Sequence, residues 1–344
     1  MRTLPNKIEE AKKVSRQDMA FCLSRRAGTE QIVFGSSDAQ LYELDLAAEK
    51  PEAVAFESGG DGEGHSSYIT GLARVGDDDL LVSGAYDRRL IWWNAATRSR
   101  IRQTTDAHAK WIRKVVASPD SKLIASVADD MICRLWNAET GTLVRELKGH
   151  EAKTPHHYPS MLFTCAFSPD GELLATADKV GHIVIWKVAD GSIAKTLEAP
   201  TMYTWDPKAR RHSIGGVRAL AFSPDGSQLT AGGIGKIGNI DHLGGKARLR
   251  TFAWEKGETL AEMESDEVQG MVERIHYHPE EKWLLALGGD HKGLAMIVDT
   301  TTHKIVTESR TPANHAHDFV FNDSADRIYV AGHNQVTVHD LRTS

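Results

Sequence analysis

Apolar residues along this chain gather in short runs, and each run ends in residues that turn the backbone. Val115-Val116-Ala117 leads into Ser118-Pro119-Asp120, Thr164-Cys165-Ala166-Phe167 into Ser168-Pro169-Asp170-Gly171, and Ala219-Leu220-Ala221-Phe222 into Ser223-Pro224-Asp225-Gly226. A second apolar run follows each time. Proline presets φ for the second position of a type I turn, and Asp and Gly suit the positions after it. Each segment therefore predicts a β-hairpin. Weaker versions stand at Phe21-Cys22-Leu23-Ser24, Gly71-Leu72-Ala73-Arg74, Ile275-His276-Tyr277-His278-Pro279 and Phe319-Val320-Phe321-Asn322. No stretch keeps an amphipathic helical period for three turns, which excludes a helical solenoid.

Aligned on Ser24, Arg74, Ser118, Ser168, Ser223, His278 and Asn322, the units are spaced by 50, 44, 50, 55, 55 and 44 residues. A second landmark lies downstream of several hairpins. Ile91-Trp92-Trp93-Asn94, Arg134-Leu135-Trp136-Asn137 and Val184-Ile185-Trp186-Lys187 each close a β-rich run. A turn such as Asn137-Ala138-Glu139-Thr140-Gly141 and a fourth run such as Thr142-Leu143-Val144-Arg145-Glu146-Leu147 come next. Short strands at regular spacing, punctuated by Gly, Pro, Asn and Asp, make an all-β protein, and periods of about 40–45 residues suit one propeller blade each.

Across essentially its whole length the chain resembles the WD40-repeat β-propeller family. Gly64-His65 and Gly149-His150 look like the family's Gly-His pair, and Trp93-Asn94 and Trp136-Asn137 like its Trp-Asp pair with Asn for Asp. Val298-Asp299 and His339-Asp340 stand where Trp-Asp would be in degenerate repeats. The resemblance implies one domain over residues 1–344, a seven-bladed β-propeller of four-stranded antiparallel blades. The few residues after Asp340 are too short for an outer strand, so Lys7 to Val14 are expected to supply it and close the ring from the N-terminal side.

One four-residue set occurs twice. His65, Ser83, Asp87 and Trp93 reappear 43 residues later as His108, Ser126, Asp130 and Trp136. Serine, histidine and aspartate could form a hydrolytic triad, which is recognised by geometry and not by chain order. A whole blade has been copied with them, however, where one active site would suffice. The family resemblance implies a buried chain of hydrogen bonds, Trp to Ser to His to Asp. Tryptophan only donates, aspartate only accepts, and serine and histidine do both, so the chain is chemically satisfiable. The fourth unit keeps Thr176 and Trp186, but Val180 stands at the aspartate position and His150 comes eight residues too early. The first unit keeps Asp38, with Phe34 and Leu44 at the serine and tryptophan positions. Apolar packing is expected to replace the network there.

Composition narrows the function. Net charge is −6, so no general basic footprint faces nucleic acid or an anionic membrane. Cys22, Cys133 and Cys165 form an odd, sparse set that fits a reducing, cytoplasmic setting rather than a disulfide framework. No window approaches a transmembrane span, and residues 1–20 contain no signal-like apolar core. The pairs His156-His157, His276/His278 and His315/His317 fall short of the three or four ligands of a metal site, so neither metal nor cofactor is expected. The glycines from Gly232 to Gly238 and at Gly244-Gly245-Lys246 have the wrong spacing for a phosphate loop.

A non-enzymatic protein-interaction scaffold is the expected function, with a lactonase-like, metal-dependent propeller hydrolase as the alternative. Extra residues at 57–64, 151–160, 199–215 and 233–246 all project from the face marked by the tetrad histidines. Long loops inside a compact domain are usually functional or disordered. Tyr, Trp and Arg are enriched at binding hot spots. Tyr68, Tyr86, Trp111 and Arg113, with Tyr203, Trp205, Arg210 and Arg211 in the largest insertion, are therefore the expected contacts for a protein or peptide partner.

Overall fold

The computed structural model describes residues 4–60, 63–76, 79–208, 211–238, 243–312 and 314–343. Alternating apolar runs fold into antiparallel strands throughout. The first sheet begins with β1 (Lys7–Arg25), β2 (Gln31–Ser36), β3 (Leu41–Asp45) and β4 (Val54–Ala55). Four-stranded sheets follow as β5 (Ile69–Arg74) to β8 (Ser99–Thr104) through β6 (Leu80–Ala85) and β7 (Leu90–Asn94), and as β9 (Ile112–Ala117), β10 (Leu123–Ala128), β11 (Ile132–Asn137) and β12 (Leu143–Lys148). The next comprises β13 (Leu162–Phe167), β14 (Leu173–Asp178), β15 (His182–Lys187) and β16 (Ile193–Glu198). A two-stranded ribbon, β17 (Tyr203–Asp206) and β18 (His212–Gly215), precedes β19 (Val217–Phe222), β20 (Leu229–Ile234), β21 (Lys246–Ala253) and β22 (Glu258–Gln269). Then come β23 (Met271–Tyr277), β24 (Trp283–Gly289), β25 (Gly293–Asp299) and β26 (Lys304–Ser309), and finally β27 (Ala316–Phe321) and β28 (Arg327–Arg342).

The expectation of seven four-stranded blades is corrected. The described residues form six blades, five of four strands and one of six, ordered β27-β28-β1-β2-β3-β4. The cause is the length of β1. It pairs with β28 from Lys7 to Met19 and with β2 from Ala20 to Arg25, so the strands expected to make the last blade are joined to those of the first. Two halves of this six-stranded sheet face each other across a shared core, with Leu23, Ile32, Phe34 and Leu44 against Tyr329, Ala331, Val336 and Val338.

Seven strands, β1, β5, β9, β13, β19, β23 and β27, stand side by side around a central channel. Core clusters lie between neighbouring sheets, as where Trp92 and Leu90 meet Ile112, Ile124 and Trp136. Packing there is close: a Cβ on Gly71 would lie 2.6 Å from the backbone nitrogen of Val115, so only glycine lets β5 approach β9 this far. The Ser-Pro-Asp turns form on the opposite end from the tetrads, with Ser118 Oγ donating to Asp120 at 2.7 Å and Ser223 Oγ to Asp225 at 2.5 Å. Among the described residues no helix is long and apolar enough to cross a membrane.

Candidate functional site

In each blade the loop before the first strand meets the loop joining the second strand to the third. Tyr86 N–H donates to Tyr68 O at 3.0 Å, Asp129 N–H to Trp111 O at 3.0 Å and Lys179 N–H to Met161 O at 2.9 Å. Side-chain networks stand on these crossings. Trp93 Nε1–H donates to Ser83 Oγ at 2.8 Å, Ser83 Oγ lies 2.7 Å from His65 Nε2, and His65 Nδ1 lies 3.0 Å from Asp87. The copied set repeats this with Trp136, Ser126, His108 and Asp130 at 2.8, 2.7 and 3.1 Å. Burial alone would raise the Asp130 pKa, but the His108 bond and charge, the Ala109 N–H and Arg134 outweigh it and hold the carboxyl well below its usual range. Burial lowers the His108 pKa against the pull of Asp130. Ser83 and Ser126 are 0% exposed and already accept an indole N–H, so neither oxygen is presented to a substrate.

The structure also assembles a third network. Trp186 Nε1–H donates to Thr176 Oγ1 at 2.9 Å, Thr176 lies 2.8 Å from His150 Nε2, and His150 Nδ1 lies 2.9 Å from Asp178. The reading in which Val180 displaced the aspartate and His150 lay out of reach is corrected: Asp178, two residues earlier, takes the role. Its carboxylate also accepts from the N–H groups of Val180 and His182, each at 3.0 Å. The eight extra residues loop out at 151–160, where Lys153 bridges Pro159, and leave the histidine in place. In the first sheet Asp38 instead accepts the Tyr42 hydroxyl at 2.6 Å.

Beside the tetrads lies a row of rings. Phe21 meets Tyr68 at 5.5 Å between centroids, Tyr68 meets Tyr86 at 5.7 Å, and Tyr86 stacks on Trp111 at 4.6 Å with only 6° between planes. Trp111 is 50% exposed and Tyr68 42%. Arg113 lies 4.9 Å from the Tyr86 ring centre and donates two bonds of 2.7 Å to Asp129. The insertions form a second cluster, in which His156 stacks on Trp205 at 3.8 Å and near Tyr203 at 5.7 Å. The Tyr158 hydroxyl donates to Asp206 O at 3.2 Å, and Ile237 N–H to Thr204 Oγ1 at 3.1 Å, so the loops 151–160, 199–215 and 233–246 pack on one another. Arg211 is exposed; Arg210 lies outside the described residues.

A feature missed in the sequence sits inside the channel. Every inner strand carries a bulge at the same level, where one residue drops out of register with the second strand. These residues are Phe21, Thr70, Arg113 and Phe163 on β1, β5, β9 and β13. On β19, β23 and β27 they are Arg218, Glu273 and His317. A bulge re-aims its side chain, and all seven line one cavity of about 190 Å³. The signal was present as the second residue of β5, β9, β13, β19 and β27, but Phe21 lies well inside β1 and Glu273 is third in β23. Only ring closure shows that the positions converge. Burial opposes charge on Glu273, yet His315, with Nε2 3.5 Å away, and the charge of Arg218 bring its pKa down to about 2. Burial takes His317 down to about 3. Among the described residues no group of three or more His, Cys, Asp or Glu side chains is arranged to hold a metal ion.

Comparison with known proteins follows the same outline. The family model described as WD domain, G-beta repeat matches residues 58–94, 99–137, 141–187 and 207–236. Its first three matches each contain one complete tetrad. The chain is 27% identical over 148 residues to Protein hir-1 of Neurospora crassa, covering 38% of this chain and 13% of that protein. It is 24% identical over 194 residues to Protein HIR1 of Gibberella zeae, covering 53% and 17%. The matches thus span less than a fifth of either relative's length.

Proposed function

Because this chain belongs to the WD40-repeat family, we propose that it works as a non-catalytic interaction scaffold whose protein or peptide partners dock on the face bearing the tetrad histidines. The observation that carries this reading is the ring row Tyr68–Tyr86–Trp111, exposed at Tyr68 and Trp111 and half-buried at Tyr86, held from below by Arg113 and Asp129. Rigid aromatic area on a fixed scaffold loses little conformational entropy when a partner binds. The tetrads leave no free nucleophile, since each serine or threonine oxygen is bonded to both tryptophan and histidine. Cys22, Cys133 and Cys165 are free thiols inside the core, which supports a reducing, cytoplasmic location.

The test is partner capture from native cells with two folded variants. Replacing Trp111 and Arg113 together by alanine is expected to abolish capture. Replacing Lys122, which is exposed on the Ser-Pro-Asp turn of the other face, is expected to leave capture intact. Capture that survives the first change and fails with the second assigns the partner to the opposite face.

A further inference from the structure

The ring of bulge residues leaves one guanidinium without a bonded carboxylate, with Glu273 as its nearest opposite charge. Arg113 is bonded to Asp129, and Arg274 to Asp318. Arg218 has no such partner. Among the described residues its guanidinium makes no ion pair, and its Nε is buried without a hydrogen-bond acceptor. It lies over Phe163, 3.5 Å from the ring centre, and lines the cavity. Around it, Arg113, Lys114, Arg218 and Arg274 stand against Asp129, Glu273 and Asp318, an excess of one positive charge. A further cation, outside the cavity lining, feels the charge of Arg218. Lys179, held only by a 3.5 Å bond to Pro159 O, has its pKa pushed down to about 8 by burial and then by the charge of Arg218. Buried like charges that disfavour each other are relieved by an arriving anion.

We propose that the axial cavity on the tetrad-histidine face receives one carboxylate side chain of an acidic partner peptide, with Arg218 as its principal contact. This rests on the face assignment above and names the chemistry of the partner. Size sets the occupant: about 190 Å³ lies below the roughly 300–1,000 Å³ of small-molecule pockets and suits a single side chain. Charge sets it further. The cations outnumber the carboxylates, and the ionised Glu273 beside Arg218 repels a phosphate dianion more than a carboxylate monoanion. The planar guanidinium matches a carboxylate with two parallel bonds, and the Tyr68–Tyr86–Trp111 row lies beside the mouth to pack the peptide chain.

Fluorescence anisotropy of labelled octaglutamate with the full chain tests this. Octaglutamate is expected to bind and octaglutamine is not. Arg218→Met is expected to weaken binding by about tenfold or more, the scale of one lost charge-assisted contact, while Arg218→Lys retains most of it. Glu273→Gln provides a readout in the other direction: removing the neighbouring carboxylate should tighten octaglutamate by roughly threefold or more. Glutarate should compete better than inorganic phosphate. The proposal is overturned by failure of octaglutamate to bind, by binding that Arg218→Met leaves unchanged in a folded protein, by weakening in Glu273→Gln, or by stronger competition from phosphate. If octaglutamate fails while the Trp111 and Arg113 double variant still loses its native partner, the face assignment stands and only the acidic occupant is refuted.

Discussion

Asp130→Ala removes the acceptor at the end of a tetrad. The carboxylate takes bonds from His108 Nδ1 at 3.1 Å, Ala109 N–H at 3.0 Å, Ile132 N–H at 3.2 Å and Arg134 Nη1 at 2.9 Å. These losses are unequal. Ala109 is exposed and its N–H can turn to water, and Arg134 keeps Glu146 at 2.7 Å. The His108 side chain, with 0% exposure, keeps only Arg134 Nη1 at 2.7 Å from Nδ1, a donor that can replace the carboxylate only if the imidazole changes tautomer. Orphaning one buried donor costs about 1–3 kcal/mol. With an m-value of about 3 kcal/mol/M, the urea midpoint falls by roughly 0.3–1 M. Asp178→Ala should fall on the same scale, because His150 is equally enclosed and Asp178 supports two further N–H groups. Glu255→Ala, at an exposed position, is the control and should stay within about 0.5 kcal/mol of the parent. Equal midpoints for Asp130→Ala and Glu255→Ala would refute the claim that the tetrads tie the blades together.

Deleting residues 1–14 removes the pairing of Lys7–Val14 with β28 and the Lys12 bonds to Leu46 O and Ala48 O. The bared β28 edge should drive association visible by size-exclusion chromatography; a monomer with an unchanged Tm would show that this pairing is dispensable. Acid should also destabilise the fold before the carboxylates titrate. Burial pushes His276 and His339 down to about 4, whereas a free histidine protonates near about 6.5. Between those values the unfolded chain binds protons that the folded chain refuses, so stability is complete above about pH 6.5 and declines as pH falls toward 4. Equal urea midpoints at pH 7 and pH 4.5 would contradict the burial of neutral histidine.

By itself the sequence determined the all-β class, the hairpin at each Ser-Pro-Asp and the two duplicated tetrads. Each of these is encoded over short distances: the residues of a turn are contiguous, and His108, Ser126, Asp130 and Trp136 lie within one repeat, so period and spacing suffice to read them. Tertiary structure decided the rest. A fixed spacing could not anticipate that eight extra residues loop out so that His150 still reaches Asp178, because loop closure constrains end points and not length. Nor could it foresee that β1 runs unbroken past the turn between two expected blades, since pairing with β28 and β2 involves residues from opposite ends of the chain. The same holds for the channel. Phe163, Arg218, Glu273 and His317 look unremarkable one by one, on strands 44 to 55 residues apart. Only closure of the ring brings their side chains to one level and places Arg218 in a cavity without a bonded carboxylate.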